Sequence, residues 1–500
     1  MDERFSTAAH TIVVSDLHLA DAEELDPNRP LWKRFKQPDL FMDASFQRFL
    51  EHVRHQVPGE IELILNGDVF DFDSVMATPH PADFKVGWLE RLRGLSAEEG
   101  KSRYKMSVIL GDHPIFVEAI RDFVLDGNRV VFVIGNHDME LHWEAVREEF
   151  LAALALSEED QDAVRFCEWF YLSNRDTLVE HGNQYDSYCL CAEPIRPLIN
   201  VSGRVRVRLP FGNVAGKLML NGMGLFNPHV ESSYIRSLPE YMNFFARYVI
   251  KVQPFLVWTW LWGAVATLVV SLWEGFLPAV RAPLDLEERV ADIGRRSNAE
   301  PRVVRTLRAL HVHPAIFNPW KIARELWLDR AVLLALLIAA SFQLFSVLNL
   351  FARLSVWWLI VPFLILLPPF IFYARGVNSD VNNLQRILRG LLPTIGAASG
   401  VVRVVLGHTH SEQHTDCDGI ELINTGTWSA AYHDVECTQP YGRRCFAWLK
   451  PGSSGTGRVA ELHEWLDPGT LVILRQPPAR QEIFGIGRRL SSLLDGTPRQ

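Results

Sequence analysis

Short apolar runs punctuate the first 190 residues, and each ends in polar residues. Residues 11–15 (TIVVS), 61–65 (IELIL) and 130–134 (VVFVI) are too short for helices and apolar enough to predict buried strands. Helical periodicity at 44–57 and 114–125 lies between them, so this part of the chain predicts βαβ units. After a long interval 401–406 (VVRVVL) predicts another buried strand, followed by shorter alternating ones at 419–424, 444–449 and 459–465. No internal repeat is visible.

The interval has a different character. Residues 255–273, 331–352 and 356–374 carry no charge, and only Arg353, Leu354 and Ser355 separate the last two runs. As helices they would measure about 28, 33 and 28 Å, against a hydrocarbon core of roughly 30 Å. Eight of the 15 Trp lie between Trp258 and Trp358, the side chains that favour a membrane interface. The expected organisation is an α/β domain in two pieces, 1–200 and 391–475, around a helical, membrane-associated insert at 201–390. A tail at 476–500 follows, whose apolar residues Ile483, Phe484, Ile486, Leu490, Leu493 and Leu494 are spaced for an amphipathic helix.

Composition narrows the class. At 500 residues the chain has room for two or three units, and 48% hydrophobic with 22% charged residues excludes a mostly disordered protein. A net charge of −9 speaks against a general nucleic-acid binder, so no nucleic acid is expected as partner. Six cysteines are too few for a disulfide scaffold, and the pair Cys189 and Cys191 is expected to be structural thiols. The opening MDERFSTAAH has no apolar stretch, so a signal peptide is not expected and the N-terminal chemistry is expected to be cytosolic.

Candidate chemistry sits where the predicted strands end. Asp16 and His18 follow the first, Asp68 and then Asp71 the second, and Asn136, His137 and Asp138 the third. His181 follows 177–180, and His408 and His410 follow 401–406. Ligand sites in open α/β sheets form at the carboxyl ends of strands, so five such ends predict one shared site. Asp and neutral His are good ligands for Mn²⁺, Fe or Zn²⁺, Asn adds a neutral oxygen, and the absence of Cys from the set disfavours iron–sulfur or structural zinc.

The ordered set D-x-H, G-D-x-x-D, G-N-H-D, H-G and G-H-x-H resembles the calcineurin-like metallophosphoesterases over about 1–190 and 400–430. That resemblance implies an α/β fold of four αββα layers, with the hydrophobic helical region inserted, and a centre of two divalent metal ions. By the family pattern Asp16, His18 and His410 would hold one ion, Asn136, His181 and His408 the other, and Asp68 would bridge them. His137 would stand beside the metals as an acid, oriented by Asp138. More distantly, S-D-L-H-L and G-D-V-F-D are similar to UDP-2,3-diacylglucosamine hydrolases, which carry Arg at the position of His137. The implied activity is hydrolysis of a phosphate or pyrophosphate ester, with a lipid-linked ester as one option. A binding scaffold and a nuclease of the same superfamily are the other readings.

One metal centre built from both pieces imposes a parity rule. Any bilayer must be crossed an even number of times between Pro194 and Val401, yet there are three apolar runs. The expectation is that 331–352 and 356–374 form a spanning hairpin, while 255–273, flanked by basic residues and crowded with Trp258, Trp260 and Trp262, lies in the interface or re-enters; a region that dips into one leaflet without crossing is the alternative.

Overall fold

The computed structural model describes residues 3–474 except 82, 228, 231–242, 281–285, 377–383, 453–456 and 468. The tail at 476–500, with its expected amphipathic helix, lies outside the described residues.

Among the described residues two sheets carry the fold. In chain order the strands are β1 (His10–Val14), β2 (Ile61–Asn66), β3 (Arg129–Val133), β4 (Val164–Cys167), β5 (Phe170–Ser173), β6 (Thr177–Glu180), β7 (Leu198–Val201), β8 (Arg204–Val207), β9 (Arg403–Leu406), β10 (Gln413–Cys417), β11 (Ile420–Asn424), β12 (Cys445–Pro451), β13 (Arg458–Leu466) and β14 (Thr470–Ile473). The first sheet runs β14-β13-β12-β1-β2-β3-β4, and the second runs β10-β11-β9-β6-β5. β1 to β4 are mutually parallel, as are β6, β9 and β11, whereas the outer strands pair antiparallel.

The apolar runs are continuous because each central strand is buried on both faces. Ile12 and Val14, Leu63 and Leu65, and Val130 and Phe132 point outward into a core shared with α1 (Asp43–Gln56), α2 (Glu99–Asp112), α3 (Pro114–Leu125) and α4 (Glu144–Leu154). Val13, Ile64 and Val131 point the other way and meet Val179, Val405 and Ile423 of the second sheet. Leu178, Val404 and Leu406 face a third core with Ile293, Leu307 and Leu392, from helices Leu286–Arg296, Pro301–Leu310 and Leu384–Ser399. The result is the expected mixed α/β arrangement, two sheets face to face with helices outside each. Polar groups between the sheets are satisfied: Glu62 accepts from Thr11, Ser173 and Tyr171.

The interval between the two halves begins with α5 (Phe211–Leu218), packed against α6 (Leu256–Gly275). The approach is close enough that a Cβ on Gly263 would lie 3.0 Å from the Met219 Cα. α6 buries one stripe along its length, Leu256, Gly263, Ala264, Thr267, Ser271 and Glu274, while Trp258, Val265, Val269 and Trp273 are exposed on the other side. α7 (Leu328–Phe351) and α8 (Ile360–Gly376) pack on each other as a hairpin with broadly exposed apolar surface. Three helices, Leu256–Gly275, Leu328–Phe351 and Val356–Ala374, are long and apolar enough to cross a membrane.

Trp428 has zero exposure, lies against Phe49 with ring centroids 4.9 Å apart, and donates its indole N–H to the Cys445 carbonyl at 2.6 Å. It belongs to the core and does not line a groove. Trp428→Ala is expected to destabilise the fold by about 3–5 kcal/mol, read as a lower unfolding midpoint in detergent solution. A loss below about 1 kcal/mol would contradict this placement.

Candidate metal centre

The loops after β1, β2, β3, β6 and β9 meet at the mouth between the sheets. The β1 and β2 loops continue their pairing past the strands: Asp16 N–H donates to the Gly67 carbonyl (3.1 Å) and His18 N–H to that of Asp68 (2.9 Å). Asp16, His18, Asp68, His408 and His410 all adopt positive φ, between 51° and 67°. That region is uncommon for residues other than glycine, and its concentration here turns these side chains inward at a cost in backbone strain. A Cβ on Gly135 would collide with the Asp68 side chain and backbone, and one on Gly67 with the His181 ring. The glycines of G-D and G-N-H-D therefore let neighbouring loops touch.

The side chains converge as the strand ends imply. His410 Nε2 lies 3.2 Å from Asp16 Oδ1 and 3.2 Å from His18 Nε2. His18 Nε2 is also 3.9 Å from Asp16 Oδ1 and 4.0 Å from Asp68 Oδ2. His181 Nε2 lies 3.0 Å from Asp68 Oδ2 without the alignment of a hydrogen bond, and the His408 ring stands 5.3 Å from that of His181. Asp16, His18 and His410 form one close donor group, and Asp68, His181 and His408 another.

These residues fit divalent cations. His181 directs Nδ1 to the Asn66 carbonyl (2.9 Å), and His410 directs Nδ1 to the His229 carbonyl (3.0 Å). With Nδ1–H donating to a carbonyl, each imidazole presents the Nε2 lone pair inward, as metal-binding histidines do. His181 Nε2, His18 Nδ1 and Asn136 Oδ1 are buried with no hydrogen-bond partner. Buried polar atoms are rarely left so, and an oxygen-and-imidazole set suits Mn²⁺, Fe or Zn²⁺.

His137 stands at the edge, with 21% of its side chain exposed. Its Nδ1 donates to Asp71 Oδ1 at 3.0 Å and lies 3.7 Å from Asp73 Oδ2. Burial disfavours the imidazolium, but Asp71 and Asp68 outweigh it, and the pKa stands well above the usual histidine value. Burial would raise the Asp71 pKa, yet His137 above all holds this carboxyl well below the usual range. The two carboxylates thus favour the protonated form of His137.

The expected pairing of Asp138 with His137 is not made. Asp138 accepts instead from the backbone N–H groups of Phe70 (2.7 Å), Val69 and Gly135 (3.2 Å each). Burial, and then the charge of Asp68, raise its pKa to about 7. Asp138 ties the β3 loop to the β2 loop, and Asp71 orients His137. The physical reason is direction: Asp138 opens a 3-10 turn at Met139–His142 and points back at the amides of the neighbouring loop.

Two residues without a motif also reach the site, both from the interval expected to be a membrane insert. His229 stacks on His18 with ring centroids 3.9 Å apart and has Nε2 3.6 Å from Asp71 Oδ2. Burial lowers its pKa to about 3. Asn213 of α5 donates through Nδ2 to the Asn136 carbonyl (2.9 Å) and to Asp73 Oδ2 (2.5 Å). Asp186 lies 3.1 Å from His408 Nε2, with Cys189 in the same group. His113 is fixed between the Asp43 carboxylate (2.8 Å) and the Ala20 carbonyl (2.8 Å). His414 pairs with Glu421 on the neighbouring strand.

Residues 9–211 match the calcineurin-like phosphoesterase family. No curated protein matches the chain. The match covers the first four loops of the site and stops before His408 and His410, which the second sheet delivers to the same place.

Asp68 faces both donor groups, and its Oδ1 also accepts the His137 N–H at 2.8 Å. Asp68→Asn is expected to lower bound metal from about two ions per chain to below one in elemental analysis of purified protein. Unchanged metal content would remove Asp68 from the ligand set.

Proposed function

We propose that this chain, whose residues 9–211 belong to the calcineurin-like phosphoesterases, is a membrane-associated, two-metal hydrolase of a phosphate or pyrophosphate ester. The observation that carries this is the convergence of Asp16, His18, Asp68, His181, His408 and His410 in close donor groups, with the buried, unpartnered Asn136 Oδ1 on the third strand-end loop and His137 held by Asp71 at the edge. When bound, divalent ions supply Lewis-acid charge to phosphoryl oxygens and lower the pKa of a water.

The protein's own groups then divide the remaining work. Asp68 fixes the His137 backbone through its N–H, and Asp71 holds the ring through Nδ1. Nε2 of His137 is left as the proton-bearing nitrogen toward the open side, placed to protonate the departing oxygen. Asp138 and Asn213 keep the β2, β3 and α5 segments in register around it. A scaffold that only bound would have no need of an imidazole oriented by a dedicated carboxylate.

Membrane association rests on the exposed apolar faces. Leu350, Phe351, Trp357 and Phe372 on the α7–α8 hairpin are each at least 78% exposed, a surface that water does not favour. α6 is buried along one whole stripe, chiefly against α5 and the segments Ala315–Phe317 and Pro319–Glu325, with its apolar aromatics outward, which supports an interfacial helix over a crossing one. With α6 in the interface and the hairpin crossing twice, both halves of the metal centre stay on one side, read as cytosolic.

His137→Ala is expected to keep its metal content while kcat for an alkyl phosphate ester falls by roughly 10²–10⁴. The fall should be far smaller for p-nitrophenyl phosphate, whose leaving group needs no proton. Equal losses on the two esters, or a parallel loss of metal, would overturn the acid role. Absence of turnover by the parent with Mn²⁺ on every phosphate ester tried, or full turnover after metal stripping in excess chelator, would overturn the hydrolase itself.

For topology, a reporter active only outside the inner membrane should be silent when fused at either end or within 286–308. It should be active when inserted between Arg353 and Ser355. Silence at that tip would mean that the hairpin does not cross.

A further inference from the structure

A cavity opens beside His137, lined also by Lys33, Lys36, Asp73, Asn221 and Phe226. Lys33 is 5% exposed and sits in the left-handed region at φ 44°, where its N–H donates to the Gly224 carbonyl at 2.7 Å. A lysine forced into that conformation is unusual outside functional sites.

Its ammonium is also unusual. The other deeply buried lysines are paired: Lys36 with Asp21, Lys101 with Glu90 at 2.7 Å, Lys105 with Glu140. Among the described residues Lys33 makes no side-chain hydrogen bond, and its nearest carboxylate oxygen, on Glu23, is 3.8 Å away. Burial, and then the charge of Lys36, lower its pKa to about 8. Of the carboxylates that line the cavity, Asp71 is held by His137 and Ser74, and Asp73 accepts from Asn213 through Oδ2 while its Oδ1 is buried without a partner. The long pair with Glu23 compensates a buried ammonium less than the short pairs of the other buried lysines do, and an anionic ligand would add to it.

A second cation continues the line toward the membrane-facing helix. Arg93 is near enough to repel Lys33, has no carboxylate partner among the described residues, and lies over the Trp262 ring of α6 at 5.2 Å. Its Nε is buried without a partner. Two cations, one with only a long ion pair and one with no carboxylate partner among the described residues, thus lie between α6 and the cavity beside His137. Lysine and arginine together suit a phosphate, the one as a point charge and the other as a fork of donors.

We propose that Lys33, with Arg93 behind it, binds a second phosphate group of the substrate, carried on the leaving-group side of the scissile bond. This rests on the hydrolase reading above and narrows its substrate to esters with two phosphates. A lipid headgroup and a soluble bisphosphate share that chemistry.

The test uses the full chain in detergent micelles, loaded with Mn²⁺ so that the metal centre can take one phosphonate, titrated calorimetrically with propane-1,3-bisphosphonate and with propylphosphonate. The parent is expected to bind the bisphosphonate at least about tenfold more tightly. Lys33→Met should reduce that ratio to within about twofold, and Lys33→Arg should keep it, which separates lost charge from a damaged fold. Equal affinities in the parent, or an undiminished ratio in Lys33→Met, would overturn the proposal.

Metal-loaded protein is then given phosphatidylcholine vesicles doped with phosphatidic acid or with phosphatidylglycerol phosphate. Faster phosphate release from the second lipid, reduced by Arg93→Met, assigns the site to a headgroup. A Lys33-dependent ratio in solution with no preference between vesicles assigns it to a soluble bisphosphate. A parent that hydrolyses no ester yet keeps the Lys33-dependent ratio would sink the hydrolase reading and leave the anion site standing.

Discussion

Two buried carboxylates and a ring of imidazoles share one dry space, and the rest of the fold is arranged around that charge. Asp16 has no exposure and Asp68 only 2%. Anions so placed need compensation from hydrogen bonds or from opposite charge. The backbone provides part of it: the His408 N–H points at Asp16 and the His137 N–H at Asp68. The remaining positive charge has to come from histidines and from the cations that the site is built to hold. The strained φ values at five of these residues follow from the same demand, because chain running out of a strand would otherwise aim their side chains elsewhere.

The need to bring Asp16, Asp68 and Asn136 against His181, His408 and His410 explains the double sheet. The first three leave one sheet and the last three leave the other. Val13, Ile64 and Val131 packed on Val179, Val405 and Ile423 hold the two sets of strand ends at a fixed separation. β9 completes the arrangement, inserted in parallel between β6 and β11 although more than 200 residues separate it from β6. The chain can therefore leave the catalytic part, form α6 and the α7–α8 hairpin, and return without disturbing the site. The excursion is not idle: α5 carries Asn213 onto the Asn136 loop, and α5 in turn rests on α6 at Gly263. The apolar helices and the metal centre are two packing contacts apart.

Much of this was legible in the chain because burial on both faces leaves an unbroken apolar run. Such runs located β1, β2, β3, β6 and β9 to within two residues, and the polar residues after each gave the donors. Helix 114–125 was legible to the residue, and the hairpin from its length and its three-residue break. Strands β4, β7 and β14 were not, since they are short and partly exposed and carry neither period clearly.

Sequence by itself determined the residue types and their order, because a metal site at strand ends draws on the polar residues that directly follow buried apolar runs. Only the tertiary structure decided which neighbours act together. Asp138 follows His137 in the chain, yet turns its carboxylate to the amides of Phe70, Val69 and Gly135, while Asp71, 66 residues earlier, holds the imidazole. His229, Asn213 and Lys33 carry no motif, and each reaches the site through contacts between segments remote in sequence. A side chain's direction is set by the φ and ψ of its turn and by what packs behind it. Those are properties of the assembled loops, and adjacency in the chain does not report them.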